Sequence, residues 1–496
     1  MAFLFIGLAY NVMDLICYFV VPEDDLPRLK DLPKGNAPRV AVLYCTYNDC
    51  DTDCLKTAGE QDYPVKVFVL DDSTRPEKRR AVDYFASLKG FQVLRREQRI
   101  GYKAGALNNW LKLYGKDYDF IAVMDSDSKL PRNFISESLA YAEHPANAKV
   151  SIFQARVNVY NRDNKFTDLM ALSPALWYPS YRRLANRLDW MMCWGHNNLL
   201  RVSHLLEVKG WDEAHVSEDF ALAMELRRKG KRAVLTPIDT YESCPPDFEA
   251  YKSRACRWAK GTLKCFEFLR DDRIEPSTRF MLFLTGWCTL AFFGYLVALV
   301  LMVYGFSSNL GMVLNLSAIF TKGLSWFSAR PGAFVLVAFY FLFLIFGRMV
   351  LIRKSSSSAK DYLSHICLGL SINMVLTVPM VYHQLKVLFG RKVVFEVTPK
   401  QRSDTRFSGF LRRNLGHVVL TGILLFGALT FNPMSIVYNA FWLTFMIAAP
   451  LVIWKWQNTP AGYFISTDRT KKVGSKRSIR TSAAMNVAVV QTALTK

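Results

Sequence analysis

Between Met281 and Tyr304 the chain runs for 24 residues without an Asp, Glu, Lys, Arg or His. About 20 residues of apolar helix cover the hydrocarbon of a bilayer, so this run predicts a membrane crossing around which the rest of the fold must be arranged. Similar runs occupy Met1 to Val21, Pro331 to Ile352, Leu363 to Tyr382, Val418 to Phe431 and Met434 to Ile453. Two of these carry polar interruptions. Asp14 in the first is expensive in lipid unless it faces protein or water, and His365 with Pro379 makes 363–382 as readable as an interfacial or re-entrant helix as a span. The first run lacks a basic leading region and a small-residue cleavage site, which predicts an anchor over residues 1–22 rather than a signal peptide.

The charge of the chain, +21, leaves three classes of partner: nucleic acid, an anionic membrane face or an anionic substrate. The pairs Arg353-Lys354, Arg412-Arg413 and Lys471-Lys472 flank apolar runs, as cytoplasmic loops do. No zinc-finger or RNA-binding signature is present, so no nucleic-acid partner is expected. Cys45, Cys50 and Cys54 lack the spacing of a zinc site and read as reduced thiols. The layout expected is an anchor over 1–22, a cytosolic domain over 36–275 with interfacial helices toward its end, and transmembrane and interfacial helices over 279–390. A loop over 391–410, further transmembrane helices over 416–456 and a basic disordered tail over 465–496 complete it.

Within 36–275 the pattern alternates. Arg39 to Cys45, Val65 to Leu70, Phe91 to Arg95 and Asp119 to Met124 read as buried strands, with helices around 51–61, 76–88 and 103–114 between them. Such alternation predicts a doubly wound α/β sheet whose ligand lies beyond the carboxyl ends of its strands, where Asp71, Asp72, Asp125 and Asp127 fall. No G-x-G-x-x-G follows the first strand, which points away from a dinucleotide dehydrogenase and toward metal-assisted diphosphate recognition.

Asp125-Ser126-Asp127 directly after a strand can present carboxylates to Mg2+ or Mn2+, hard ions that suit oxygen ligands and phosphates; a plain strand-end turn is the competing reading. Ser217-Glu218-Asp219 opens an amphipathic stretch, where acids either cap a helix or supply a general base, Asp219 being the favoured one. Arg257-Trp258 leads into the first long apolar run, where Trp serves as an interfacial anchor or a platform for a sugar ring and Arg grips phosphate.

Taken together with Lys103-Ala104-Gly105-Ala106-Leu107-Asn108 and the string Phe395-Glu396-Val397-Thr398-Pro399-Lys400, these motifs resemble the processive family-2 glycosyltransferases, the group of cellulose, hyaluronan and chitin synthases. The likeness covers residues 39 to about 400. It implies a GT-A-like glycosyltransferase domain joined to an α-helical transmembrane bundle, in a multi-pass protein of the bacterial inner membrane with its catalytic domain in the cytoplasm. It implies that Tyr47 and Asp72 hold the uridine, with Thr46 and Asp71 also binding substrate, that Lys103 and Arg257 meet the diphosphate, and that Asp127 binds Mg2+ or Mn2+ with Asp125 beside it. Asp219, with Glu218 beside it, would take the acceptor proton, and Trp258 would stack on the acceptor. Phe395, Val397, Thr398 and Lys400 would form a loop that closes over the donor. Arg254 stands where the family has Gln, and Gly195-His196-Asn197 is similar to the subgroup making osmoregulated or cyclic β-glucans, which makes His196 and Arg254 candidates for acceptor contact. The expected activity is polymerisation of a β-glucan from a UDP-sugar, UDP-glucose foremost, with passage of the glycan across the bilayer; accessory export subunits stay open. A non-processive transferase acting on a lipid carrier, or an inactive nucleotide-sugar-binding transporter or sensor, are the alternatives.

Overall fold

A computed structural model describes residues 16, 18–22, 26–32, 37–190, 193–215, 217–304, 358–391, 398–403, 406–431 and 440–461. Most of the first apolar run, the run 331–352, Phe395 and Val397, and the tail 465–496 lie outside the described residues.

Eight strands form one sheet: β1 (Val40–Thr46), β2 (Val65–Asp71), β3 (Gln92–Leu94), β4 (Phe120–Asp125), β5 (Ser128–Lys129), β6 (Val150–Val159), β7 (Asn198–Arg201) and β8 (Arg232–Glu242). Their order is β3-β2-β1-β4-β7-β6-β8-β5. The half β3-β2-β1-β4 is parallel throughout, in register from Val40 opposite Val65 and Phe120 up to Cys45 opposite Leu70 and Asp125. Connecting helices α1 (Thr52–Gly59), α2 (Pro76–Lys89) and α3 (Tyr102–Tyr114) return the chain each time to the start of the next strand. Their ends follow local chemistry. The Asp51 carboxylate accepts from the Asp53 and Cys54 amides to start α1, and α2 begins with Pro76 and stops at Gly90 in the left-handed region.

Side chains alternate across β1, and each set builds a different core. Ala41 and Leu43 pack with Phe68, Leu107 and Trp110 on one face. Val40, Val42 and Tyr44 pack with Cys54, Leu55 and Ala58 on the other. Both faces being covered, the strands read as continuous apolar runs.

Beyond β4 the sheet departs from the doubly wound expectation. β7 is antiparallel to both β4 and β6, while β6 and β8 are parallel. The reason lies in the chain just before β7: Gly195 and His196 lie at the rim formed by the carboxyl ends of the parallel strands, so a strand that starts there must run back down the sheet. The result is a GT-A-like mixed α/β sheet.

Helices α4 (Phe134–Ala142), α5 (Lys165–Met170), α6 (Leu172–Arg187) and α7 (Val202–Glu207) complete the wrapping, and α8 (Glu218–Arg228) and α9 (Phe248–Lys264) carry the later motifs. Apolar helices follow: α10 (Pro276–Tyr304), α11 (Ala359–Leu388), α12 (Phe407–Arg413), α13 (Leu415–Phe431) and α14 (Ala440–Asn458). By length and composition one described helix, Lys360–Leu388, suits a bilayer crossing, or two if α12 and α13, bent by 81°, count as one broken span. The stretch 363–382 therefore sits inside a single 30-residue helix, about 45 Å long, rather than in a separate re-entrant piece. The helices are tied to the α/β domain by polar contacts: Lys252 Nζ on α9 donates to Asn414 Oδ1 at 2.9 Å, and His365 Nδ1 on α11 lies 2.9 Å from the Leu169 carbonyl oxygen.

Candidate active site

Because β1, β2 and β4 are parallel and in register, Thr46 and Asp71 end level with each other and Asp125 ends opposite Cys45, one residue short, so the turns after them share one rim. A cleft of about 260 Å³ opens there. Fourteen of the expected residues line it: Thr46, Tyr47, Asp72, Lys103, Asp125, Asp127, His196, Glu218, Asp219, Arg254, Arg257, Trp258, Thr398 and Lys400.

Asp71 is placed elsewhere. Its side chain is fully buried and ion-paired to Arg95 at 2.7 Å, and it accepts from the Ser73 amide. Asp72, one residue on, lines the cleft and takes a two-pronged grip from Arg96, Nε to Oδ1 at 3.1 Å and Nη2 to Oδ2 at 2.5 Å. Neighbouring residues at a strand end face opposite ways, so the acid pair divides into one structural and one cleft carboxylate. Above Asp72 the Arg99 guanidinium lies 3.6 Å from the centre of the Tyr47 ring.

At the centre, Lys103 Nζ contacts Asp125 Oδ1 at 2.5 Å and donates to the Gly195 carbonyl at 2.8 Å. Burial pushes the Asp125 carboxyl up, but the Lys103 ammonium outweighs it and holds the group well below the usual carboxylate range. The same pair keeps Lys103 charged despite burial. Asp127 behaves differently: burial, with Asp125 and Glu242 nearby, holds its carboxyl above the ordinary value against the pull of Lys400.

Glu218 and Asp219 begin α8, where the helix dipole favours negative charge. Burial nevertheless dominates. It raises Asp219, and together with the neighbouring Asp219 charge it pushes Glu218 up to about 7. Two glycines let other elements approach this turn. An added Cβ at Gly195, where φ is +83°, would meet Asp219 Oδ2 at 2.7 Å; one at Gly261 on α9 would collide with Ser217 Oγ.

On the far side, Glu242 sits between two expected contacts, 3.4 Å from His196 Nε2 and 3.4 Å from Arg254 Nη1, and the Arg254 guanidinium lies 4.8 Å from the Trp258 ring centre. Trp258 is 54% exposed. Sequence reasoning passed over Asp49, Arg99, Ser126 and Glu242, all of which line the cleft. Asp49 and Ser126 could have been found from position, since both follow a rim strand; Glu242 and Arg99 carry no local signal.

Among the described residues no three His, Cys, Asp or Glu side chains converge as a ready ligand set. An oxygen cluster suited to a cation is nonetheless present. Lys400 Nζ lies 2.8 Å from Asp49 Oδ2 and 3.4 Å from Asp127 Oδ2, and donates to Ser126 Oγ. An ammonium held by two carboxylates and a hydroxyl shows that this corner accepts positive charge, and oxygen donors are what Mg2+ or Mn2+ would require, with further oxygens supplied by phosphate and water.

Residues 120–356 match the family model described as Glycosyl transferase family group 2. The chain is 26% identical over 293 residues to a glucans biosynthesis glucosyltransferase H of Rhodopseudomonas palustris (strain TIE-1), covering 51% of this chain and 39% of that one. It is 29% identical over 256 residues to glucomannan 4-beta-mannosyltransferase 9 of Arabidopsis thaliana, covering 48% of each. The chain thus spans between about two fifths and half of the length of these curated relatives. A solved mannosyltransferase from Pyrobaculum calidifontis, PcManGT in complex with GDP-Man and Mn2+, aligns over 70% of this chain and 96% of its own at 20% identity, with a TM-score of 0.47. Over residues 120–356, then, the chain is similar to the family-2 group of glycosyltransferases.

Proposed function

We propose that the chain is a membrane-bound, inverting hexosyltransferase that extends a β-linked glycan, a β-glucan foremost, from a nucleoside diphosphate sugar. The observation that carries this reading is the meeting in one cleft of a base-side acid, Asp72, diphosphate-side cations, Lys103 and Arg257, an acidic pair, Asp125 and Asp127, and the raised carboxyls of α8. In this reading Tyr47 and Asp72 hold the uridine of UDP-glucose, and Thr398 and Lys400 cover it. Asp127 and Asp125 are the residues that would hold Mg2+ or Mn2+, which supplies charge neutralisation of the leaving diphosphate.

The acceptor hydroxyl oxygen attacks the anomeric carbon as the carbon–oxygen bond to the diphosphate breaks, and its proton passes to Asp219. Attack from the face opposite the leaving group turns an α-linked donor into a β-linked product. A raised Asp219 is a stronger base than a solvated carboxylate, which suits it to this proton. Lys103 and Arg257 oppose the charge that develops on the leaving group, a preorganised contribution of the kind that dominates many sites. Trp258, exposed in the cleft wall on α9, a helix whose Cys256 Sγ lies 3.9 Å from Met380 Sδ on α11, would seat the acceptor end where the glycan enters the bilayer helices. Retention of the covering segment and Arg257-Trp258 supports extension of a polymer over a single addition to a lipid carrier.

The test incubates membrane-embedded protein with UDP-glucose, other UDP-sugars and GDP-mannose, each with Mg2+ or Mn2+, and digests the product with linkage-specific hydrolases. Expected are nucleotide release with UDP-glucose and a long β-linked product. Release no greater than that of the Asp219→Asn variant, which should bind donor yet transfer nothing, would refute the reading; a product one sugar long would replace extension by single transfer.

A further inference from the structure

The corner around Lys400 has a structure that the transfer reaction does not require. Asp49 is fixed from three sides: its Oδ1 accepts from Thr46 Oγ1 at 3.0 Å and from the Tyr47 amide at 2.9 Å, and its Oδ2 accepts from Ser126 Oγ at 2.7 Å. Asp49 is thereby aimed, together with Asp127, at a single point, and Lys400 Nζ occupies it. The segment that brings Lys400 there is tethered further on, where Ser403 donates from its amide and its hydroxyl to Asp247 Oδ2, both at 2.6 Å. Two residues before Lys400, Thr398 Oγ1 is buried without a hydrogen-bond partner among the described residues. A buried hydroxyl left unmatched is unfavourable, so this position of the segment satisfies the lysine at the expense of the threonine.

We propose, resting on the transferase reading above only for the entry of a divalent ion, that Asp49, Ser126 and Asp127 form one cation seat which the Lys400 ammonium fills until a divalent cation displaces it. The two cations exclude each other because they need the same carboxylate oxygens, Asp49 Oδ2 and Asp127 Oδ2. Asp49 is therefore a cation-binding residue outside the Asp125-x-Asp127 motif. Departure of Lys400 from the seat releases the segment 398–403, anchored at Ser403, and frees Thr398 and Lys400 to meet the donor's phosphates. A seated lysine reduces apparent metal affinity by the fraction of molecules in which the seat is free.

The experiment titrates full-length protein with Mn2+ alone, no donor present, reading free Mn2+ by electron paramagnetic resonance and amide hydrogen exchange over 398–403. Lys400→Met should bind Mn2+ at least about tenfold more tightly than the native chain, and Asp49→Asn at least about tenfold more weakly, both following from a shared seat. Lys129→Met, which removes a nearby positive charge outside the seat, should stay within about threefold, the scale of a screened surface charge. In the native chain Mn2+ should speed exchange over 398–403. Equal Mn2+ affinity for Lys400→Met and the native chain, an equal gain for Lys129→Met, unchanged exchange, or no Mn2+ binding in any form would each overturn the proposal. These readings contain no sugar nucleotide, so they stand apart from the outcome of the transfer assay: a chain with a swapping seat that transfers no sugar sinks the function, not the seat.

Discussion

Replacing Gly195 by Ala separates the position of Asp219 from the stability of the fold. At φ +83° an alanine suffers the left-handed penalty, about 1–2 kcal/mol, and its Cβ would lie 2.7 Å from Asp219 Oδ2. To reach an ordinary contact of 3.4 Å the carboxylate must retreat by about 0.7 Å. A displacement near 1 Å at a reacting group lowers rate by about a hundredfold, so kcat should fall on the order of 30- to 100-fold. Gly90 supplies the control, because it is also left-handed, at φ +68°, with nothing within 4 Å of an added Cβ. Gly90→Ala should lose comparable stability and keep its kcat. The assay is nucleotide release at saturating donor, alongside thermal unfolding of both variants. If Gly195→Ala kept more than about a third of native kcat with donor saturating, the glycine would not be there to admit Asp219 and the base assignment would lose its geometric support.

The divided acid pair predicts divided phenotypes. Asp71→Asn breaks the ion pair between a fully buried carboxylate and a partly exposed Arg95 and should cost about 1–3 kcal/mol of stability with donor KM unchanged, whereas Asp72→Asn, which loses a comparably buried pair with Arg96, should raise donor KM. Glu218 is harder to ionise when folded, its group rising from 4.5 to about 7. The unfolded chain therefore releases this proton first, and the group's stabilisation, complete below pH 4.5, is lost as pH rises toward 7; Glu218→Gln should flatten that part of the stability–pH profile. UDP and Mn2+ should each tighten the other's binding by the same factor, measurable by calorimetry in both orders, and UDP affinity indifferent to Mn2+ would contradict the charge arrangement of the cleft.

What the sequence made legible was what depends on short-range pattern. The apolar runs before Thr46, Asp71 and Asp125 became parallel strands in register, so acids read as strand-end residues did meet at one rim. Asp71 was misplaced because a tandem pair looks like two equal candidates until the pleat assigns their faces. β7 was not foreseen, since its four residues Asn198–Arg201 are too few for a period to show and its direction is set by the preceding turn. Glu242 and Arg99 were invisible for a different reason: each is brought to the cleft by pairing or packing across distant parts of the chain, Glu242 opposite Val159 and Arg99 over Tyr47. The helical pieces were legible as apolar runs, while His365 and Pro379, read as signs of an interfacial or re-entrant helix, lie within one continuous helix. His365 instead meets the Leu169 carbonyl, and α11 continues past Pro379 to Leu388.

The charges of the cleft explain why sugar nucleotide and cation should arrive as a unit. Lys103 is paired with Asp125, Lys400 with Asp49 and Asp127, and Arg96 with Asp72. A diphosphate entering alone could gain Lys103 or Lys400 only by taking it from a carboxylate, and a carboxylate left unpaired in a partly buried site is costly. Asp127 already lies above its ordinary value under that pressure, and withdrawal of Lys400 would raise it further. Asp127 and Asp49 would hold a divalent ion there, which would supply the positive charge that these carboxylates lose when Lys400 turns to phosphate. The same side chain can then serve both states, neutralising acid while the cleft waits and phosphate while it is filled. In the proposed reading, this is why Lys400, which would cover the donor, lies among the oxygens where a cation would bind.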